Sequence, residues 1–233
     1  MVSIIGTLFV VVVFTSAAFP QETRRGQKIQ NIFDLRSQIT TLENDILQPD
    51  PKDLADARKQ GSNAIRILPR EKYDNVLGLR GGGAYYSFLR KTHEYGRGSD
   101  ISLEQNKLKV GFAGVDYGFL IDLGKTALTD VGGNVPEMDF LVKYRPPADK
   151  PTIRAEQQRS RSYDVGVFVY KDYLPAIVGH TYGLRSINFS DSDVLVAFSI
   201  HRKDADGSII VFWKLLETFV KPEMRREEMI SGQ

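Results

Sequence analysis

The chain predicts a mainly β fold, an antiparallel sandwich or open barrel, behind a short N-terminal helical segment. Three observations carry that expectation. From Ile65 onward apolar residues recur at period two or in short runs, the pattern of strands with a buried face. The runs are divided by turn chemistry, above all Glu104-Gln105-Asn106-Lys107 and Asp204-Ala205-Asp206-Gly207, both readable as hairpin connections. No amphipathic helix of about 10–15 residues separates them, so parallel crossover units are not expected.

The first 18 residues read as a signal peptide. Residues 4–14 (IIGTLFVVVVF) are apolar, and Ser16 and Ala18 supply the small side chains of a cleavage site before Phe19. The run is short of the roughly 20 apolar residues that span a bilayer. After cleavage no stable transmembrane span would remain, and the product would be periplasmic or secreted. No Lys or Arg precedes the run, which leaves open an uncleaved segment anchored in the inner membrane.

Residues 19–61 form the helical segment. Ile32, Leu35, Ile39, Leu42 and Ile46 follow the 3,4,3,4 spacing of an a/d seam over two heptads. Pro49 stops this helix, since proline lacks an amide hydrogen and disfavours helix in the residue before it. A second helix starts at once, with Asp50 as its cap, Pro51 in its first turn, Asp53 near its positive end and Gly61 closing it. The seam is expected to pack on its own domain. A weak homodimer through the same helix is the alternative.

Residues 62–218 form the β domain, with a sub-boundary possible at the proline-rich 145–151 and a polar tail over 219–233. Strands are expected at 101–103 and 108–112, and Met138, Phe140, Val142 and Tyr144 alternate as another. A short exposed helix is expected over 154–161. The clearest strands are 163–170, 182–189, 194–200 and 209–216. Val194, Val196, Phe198 and Ile200 alternate with Leu195, Ala197 and Ser199, so both faces of that strand should be covered.

Composition narrows the partners. Thirty-one basic residues against 29 acidic ones leave a net charge of +2, without the excess that holds phosphate backbones, so no nucleic-acid partner is expected. The absence of cysteine removes disulfides, thiolate metal sites and a catalytic thiol.

The richest stretch is 80–100, RGGGAYYSFLRKTHEYGRGSD. Its glycine triplet lacks the Lys-Ser/Thr pair of a nucleotide loop and reads as a tight bend where another backbone passes close. Arg80, Tyr85, Tyr86, Tyr95 and Arg97 are the candidate ligand-binding residues. Rings suit sugar faces and guanidinium forks suit oxyanions. Asp116 and Tyr117, from the second glycine-rich stretch 111–124, are candidates to share that cleft. His93, Glu94 and Asp100 are the acid–base candidates. His93, His180 and His201 are the only histidines, and their spacing matches no zinc signature, so no metal and no cofactor are expected.

The phrases RGGGAYYSF, HEYGRGSDISLE, VGFAGVDYGFL and LRSINFSDSDVLVAF resemble an uncharacterised family of exported bacterial proteins. The resemblance implies export and one domain over most of the mature chain. It carries no activity and no catalytic residues.

Three functions follow as expectations. The first is a non-enzymatic exported protein that binds a small molecule, a glycan or an envelope protein through residues 80–100. The second is a hydrolase of envelope glycans or esters, using Glu94 or Asp100 with His93. The third is an envelope assembly protein that pairs through the helix carrying Ile32 and Ile46.

Overall fold

The computed structural model describes residues 21–93, 95–96 and 98–225. The signal peptide expected over 1–18, and residues 226–233 of the expected tail, lie outside the described residues. The chain divides into two units, Met1–Ile39 and Thr40–Gln233. The described part of the first is helical, the opening turns of α1 (Gln21–Leu47). Among the described residues no helix is long and apolar enough to cross a membrane.

Helix α1 runs 27 residues and stops two positions before Pro49, as the missing proline amide requires. The helix lies within the helical segment expected over 19–61. On its seam, Ile32, Leu35, Ile39, Leu42 and Ile46 are 44–62% exposed. Helix α2 (Pro51–Lys59) follows, with proline at its start and Gly61 at φ +65° beyond its end. Asp50 does not cap it through its side chain. That carboxylate accepts instead from Arg202 at 2.8 Å, a charged donor that outcompetes a neutral amide.

The second unit is built on antiparallel strands. These are β1 (Asn63–Ile67), β2 (Tyr85–Tyr86), β3 (Ile101–Glu104), β4 (Lys107–Lys109), β5 (Tyr117–Asp122), β6 (Tyr163–Val165), β7 (Phe168–Tyr170), β8 (Tyr173–Pro175), β9 (Thr181–Asn188), β10 (Ser192–Lys203) and β11 (Ile209–Thr218). One sheet has the order β1-β11-β10-β9-β5, a second β2-β3-β4-β8, and β6 pairs with β7 in a third. Neither large sheet closes into a barrel. Short helices α3 (Arg70–Tyr73), α4 (Asp139–Lys143) and α5 (Lys150–Arg159) lie between strands. Strand content exceeds helix content only narrowly, 31% against 29%, because these inserts add to α1.

Both expected hairpins form. Gln105 and Asn106 take φ of +50° and +59° between β3 and β4, and Gly207 takes +90° between β10 and β11. Positive φ at both central residues is what a tight two-residue hairpin turn demands.

The strand expected from the alternation at 138–144 does not form. Pro136–Met138 is a 3-10 turn that leads into α4. Met138, Leu141 and Tyr144 are buried at spacing three, so the apolar set obeys a helical period as well as a strand period. Tertiary packing chose the helix.

The alternation of β10 is realised on two apolar clusters. Val194, Val196, Phe198 and Ile200 join one cluster with Tyr86, Phe88, Ile101, Leu103 and Leu108 from the four-stranded sheet region. Leu195 and Ala197 join the other, with Ala57 of α2, Leu141 of α4, Ile153 of α5 and Phe119. The five-stranded sheet is thus buried on both faces, which explains why β10 and the first half of β11 read as almost continuous apolar runs.

Candidate functional site

The glycine triplet shapes the site. Gly81, Gly82 and Gly83 take φ of +82°, +59° and +74°, a conformation that costs an L-residue roughly 1–2 kcal/mol at each position. A methyl group on Gly82 would meet the Tyr73 carbonyl carbon at 2.3 Å and the Asp74 nitrogen at 2.4 Å. Backbone atoms do not move aside as a side-chain tip does, so glycine is required here. The triplet is a tight turn, closed by Gly82 N–H to Leu79 O at 2.9 Å and Ala84 N–H to Gly81 O at 3.0 Å. It delivers Tyr86 into the sheet and leaves Arg80 exposed.

Beyond β2 the chain doubles back. Ser87 N–H donates to Thr92 O at 2.9 Å and Lys91 N–H to Ser87 O at 2.7 Å, which brings Lys91, Thr92 and His93 beside the glycine turn. On the opposite side the end of α1 closes the space. Glu43 Oε1 accepts from the Gly78 and Leu79 amides, the latter at 3.2 Å, and so clamps the 78–80 loop to the helix. The result is an open groove of about 590 Å³. Its walls are Asn44, Leu47 and Gln48 on one side and Arg80, Lys91 and Thr92 on the other, with Ile65, Tyr86 and His93 among the residues between them.

His93 is the chemically distinctive member. Burial pushes its pKa from 6.5 down to about 4, against an opposing pull from the Gly83 and Tyr85 backbones. At neutral pH the ring is therefore uncharged, one nitrogen a donor and the other an acceptor. Nδ1 is buried and has no hydrogen-bond partner among the described residues. The ring sits edge-on to Tyr86 at 4.9 Å. Burial also raises the Tyr86 hydroxyl, which keeps it protonated and able to donate. Trp213, 6.1 Å from Tyr86, has a buried and unpaired Nε1 among the described residues. Buried polar groups without partners are rare and mark places where a water or ligand atom is accommodated.

Of the residues singled out by sequence, Arg80, Tyr86 and His93 are brought together in the groove. Tyr95 lies next to it through Arg80, whose guanidinium carbon stands 4.7 Å from the Tyr95 ring centre. Tyr85 is 3% exposed and packs edge-on against Tyr95 and Phe112, at 4.7 and 5.1 Å. Glu94 and Arg97 lie outside the described residues.

Asp100 is fully buried and does not line the groove. Its carboxylate accepts from Phe88 N–H at 2.7 Å and Asn188 Nδ2 at 3.0 Å. Asn188 also reaches the hydroxyls of Ser186 and Ser192, both at 3.1 Å. Desolvation raises the Asp100 pKa to about 6, even though these donors pull the other way. This network ties the β2–β3 connection to the β9–β10 hairpin.

Asp116 and Tyr117 do not share the groove. Asp116 Oδ1 accepts from Phe189 N–H at 2.8 Å, beside a smaller hollow of about 230 Å³ lined by Val115, Ser190 and Met224. The Tyr117 hydroxyl meets that of Tyr144 at 2.7 Å, and Tyr144 donates to Glu156 at 2.8 Å. Tyr117 belongs to the apolar cluster on the helix-covered face of the five-stranded sheet, whereas Tyr86 belongs to the cluster on its other face. The sheet separates them.

The three histidines also stay apart in their partners. His180 Nδ1 contacts both Asp122 oxygens at 3.0 Å, and His201 stacks on Phe212 at 4.1 Å. No group of three or more metal-ligating side chains assembles among the described residues.

Asn44, Leu47 and Gln48 carried no signal in the sequence. They sit outside the a/d seam, Asn44 and Leu47 in the last turn of α1 and Gln48 just past it, and only the fold carries that turn to the glycine loop. Comparison with protein-family models, curated proteins and solved structures finds no match for this chain.

Proposed function

We propose that this chain is an exported protein that binds a small polar ligand in the groove between the end of α1 and the 78–93 loops, without turning it over. The observation that carries this reading is the composition of the groove. Two rim cations, Arg80 and Lys91, stand over a floor in which His93 Nδ1 is buried and unpaired among the described residues. Asn44 and Gln48 add amides, and Leu47, Leu79 and Ile65 add an apolar wall. That set suits an acidic sugar or similar small anion: cations for its charge, amides and a neutral imidazole for hydroxyls, and an apolar face for its ring.

Export rests on the apolar run at 4–14 with small residues at 16 and 18, and places the protein in the periplasm or outside the cell. We further read the two large sheets as halves of a sandwich, since one apolar cluster draws on both. The hydrolase alternative gains no support from Asp100, whose carboxylate is spent on internal donors.

The test is titration calorimetry of the purified chain against uronic-acid and N-acetylhexosamine oligosaccharides. Binding by an acidic member is expected, and Arg80→Ala and Lys91→Ala should each weaken it about tenfold, the scale of one lost charge-assisted hydrogen bond. Both side chains are exposed, so the variants should keep the wild-type fold. Absence of binding across the panel, or affinity unchanged in both variants, would overturn the reading. Turnover of a chromogenic glycoside or ester would favour the hydrolase.

A further inference from the structure

We infer that the exposed seam of α1 is a homodimer interface, in which a second copy of this chain packs parallel and in register as a two-stranded coiled coil. This surface is independent of the groove ligand. The structure leaves Ile32, Leu35, Ile39, Leu42 and Ile46 exposed on one helix, at 50%, 58%, 48%, 62% and 44%. Ile29, 48% exposed, flanks that line at an e position. Soluble proteins seldom leave an apolar row of this length in water without a partner.

The residue types specify the occupant. Isoleucine holds every a position of the seam (32, 39 and 46) and leucine every d position (35 and 42), the combination that favours two parallel strands over three or four. Parallel in-register pairing sets Asn31 beside Arg36 of the second copy and Gln38 beside Glu43 of the second copy, with no like charges opposed. Antiparallel pairing that layers Ile39 on Leu35 of the second copy would bring Arg36 against Arg36 of the second copy, which is unfavourable.

The extent of the seam sets the strength. Arg25 and Lys28 occupy the preceding a and d positions, so the apolar contact begins at Ile32. The five side chains leave on the order of 500 Å² open per helix, and a pair would hide about 1,000 Å², the lower limit for a specific interface. Self-association should be weak and dependent on concentration.

The same helix serves the groove with its other side. Asn44 and Leu47 line the groove, whereas Leu42 and Ile46 carry the seam.

Sedimentation equilibrium of the chain purified from an exporting host tests this over a broad concentration range. A monomer–dimer equilibrium is expected, and Ile39→Glu, at an exposed position, should shift it to monomer with an unchanged circular dichroism spectrum. A wild-type chain that stays monomeric to about 1 mM, at the weak edge of specific association, would overturn the inference. So would trimers, or a dimer that survives Ile39→Glu. The absence of native cysteine makes a second measurement clean. Ile39→Cys should cross-link to itself on oxidation, because only parallel in-register pairing brings the two a-position Cβ atoms within disulfide reach. Cross-linking confined to a mixture of Ile39→Cys with Leu35→Cys would show antiparallel pairing and overturn the geometry proposed.

Discussion

Replacing Asp193 with alanine is expected to cost about 3–5 kcal/mol of folding stability, the scale for orphaning one half of a buried ion pair. Arg185 and Asp193 are each 1% exposed. The guanidinium donates from Nε to one carboxylate oxygen at 2.5 Å and from Nη2 to the other at 2.9 Å. Nη1 donates to Leu141 O at 2.8 Å, and the Phe219 ring lies against the guanidinium carbon at 3.1 Å. Burial raises the Asp193 carboxyl above its usual range, and Arg185 opposes that by favouring the charged form. Deleting the carboxylate leaves a desolvated cation with one carbonyl and one ring for company. A companion variant separates this cause from simple loss of packing. Arg185→Met with Asp193→Leu removes both charges at similar volume and should recover most of the loss, leaving about 1–3 kcal/mol for the unbonded Leu141 carbonyl. Trp213 is the only tryptophan and is buried, so its fluorescence reports urea unfolding directly. A single variant that loses less than about 1 kcal/mol would mean the pair is no more than a surface-type bridge.

The second large effect is opposed pH dependence at His93 and Asp100. The folded state lowers the His93 pKa from 6.5 to about 4. It therefore disfavours the imidazolium, and the His93 contribution is present above pH 6.5 and is lost as the pH falls toward 4. Asp100 behaves in the opposite sense. Its pKa rises from 3.8 to about 6, so the folded state prefers the protonated acid, and stability is lost as the pH rises from about 4 to 6. Each shift corresponds to roughly 2–3 kcal/mol between pH 7 and pH 4. In the wild-type chain these two contributions nearly cancel across that window. In Asp100→Asn only the histidine remains, and acidification from pH 7 to 4 should cost about 2–3 kcal/mol more than in wild type. In His93→Gln the same change should cost about 2–3 kcal/mol less. Urea titrations at pH 7, 5.5 and 4 measure both. Stability curves running parallel to wild type in either variant would mean that the group is not buried in the protonation state described.

The pH pair also bears on function. A histidine held neutral at pH 7 would offer the proposed ligand one donor and one acceptor. An aspartate bound by Phe88 and Asn188 positions the loop beneath it. Two residues that stand seven apart in the chain divide into a groove surface and its internal support.

How much of this was legible beforehand depends on the kind of residue. Pro49 ended α1 because a missing amide hydrogen acts wherever the residue lies. Asn106 and Gly207 turned the hairpins because they tolerate positive φ. The double alternation in 194–200 announced a strand with two buried faces. The bend at Gly81-Gly82-Gly83 was readable for the same local reason.

Ambiguity entered where two periods fit. Met138, Leu141 and Tyr144 satisfy a helical spacing while Met138, Phe140, Val142 and Tyr144 satisfy a strand spacing, and the choice was settled by packing beneath the sheet. The same held for competition between partners. Asp50 had the right type and place for a cap, but Arg202 lies 152 residues away in sequence and reached it across the fold.

Local stereochemistry, then, was determined by the sequence itself: helix stops, hairpin turns, strand alternation and the glycine bend each follow from torsional or hydrogen-bonding limits of one or two residues. The groove was decided only by tertiary structure. It needs the last turn of α1, the loop that Glu43 clamps and the doubled-back 87–93 segment in one place. Tyr85 and Tyr86 are adjacent in the chain, yet only Tyr86 lines the groove, because successive side chains on a strand point to opposite faces. Asp116 and Tyr117 were excluded because a five-stranded sheet lies between Tyr117 and Tyr86. Contacts of that range depend on which apolar faces the whole chain buries together, and no single stretch carries that information.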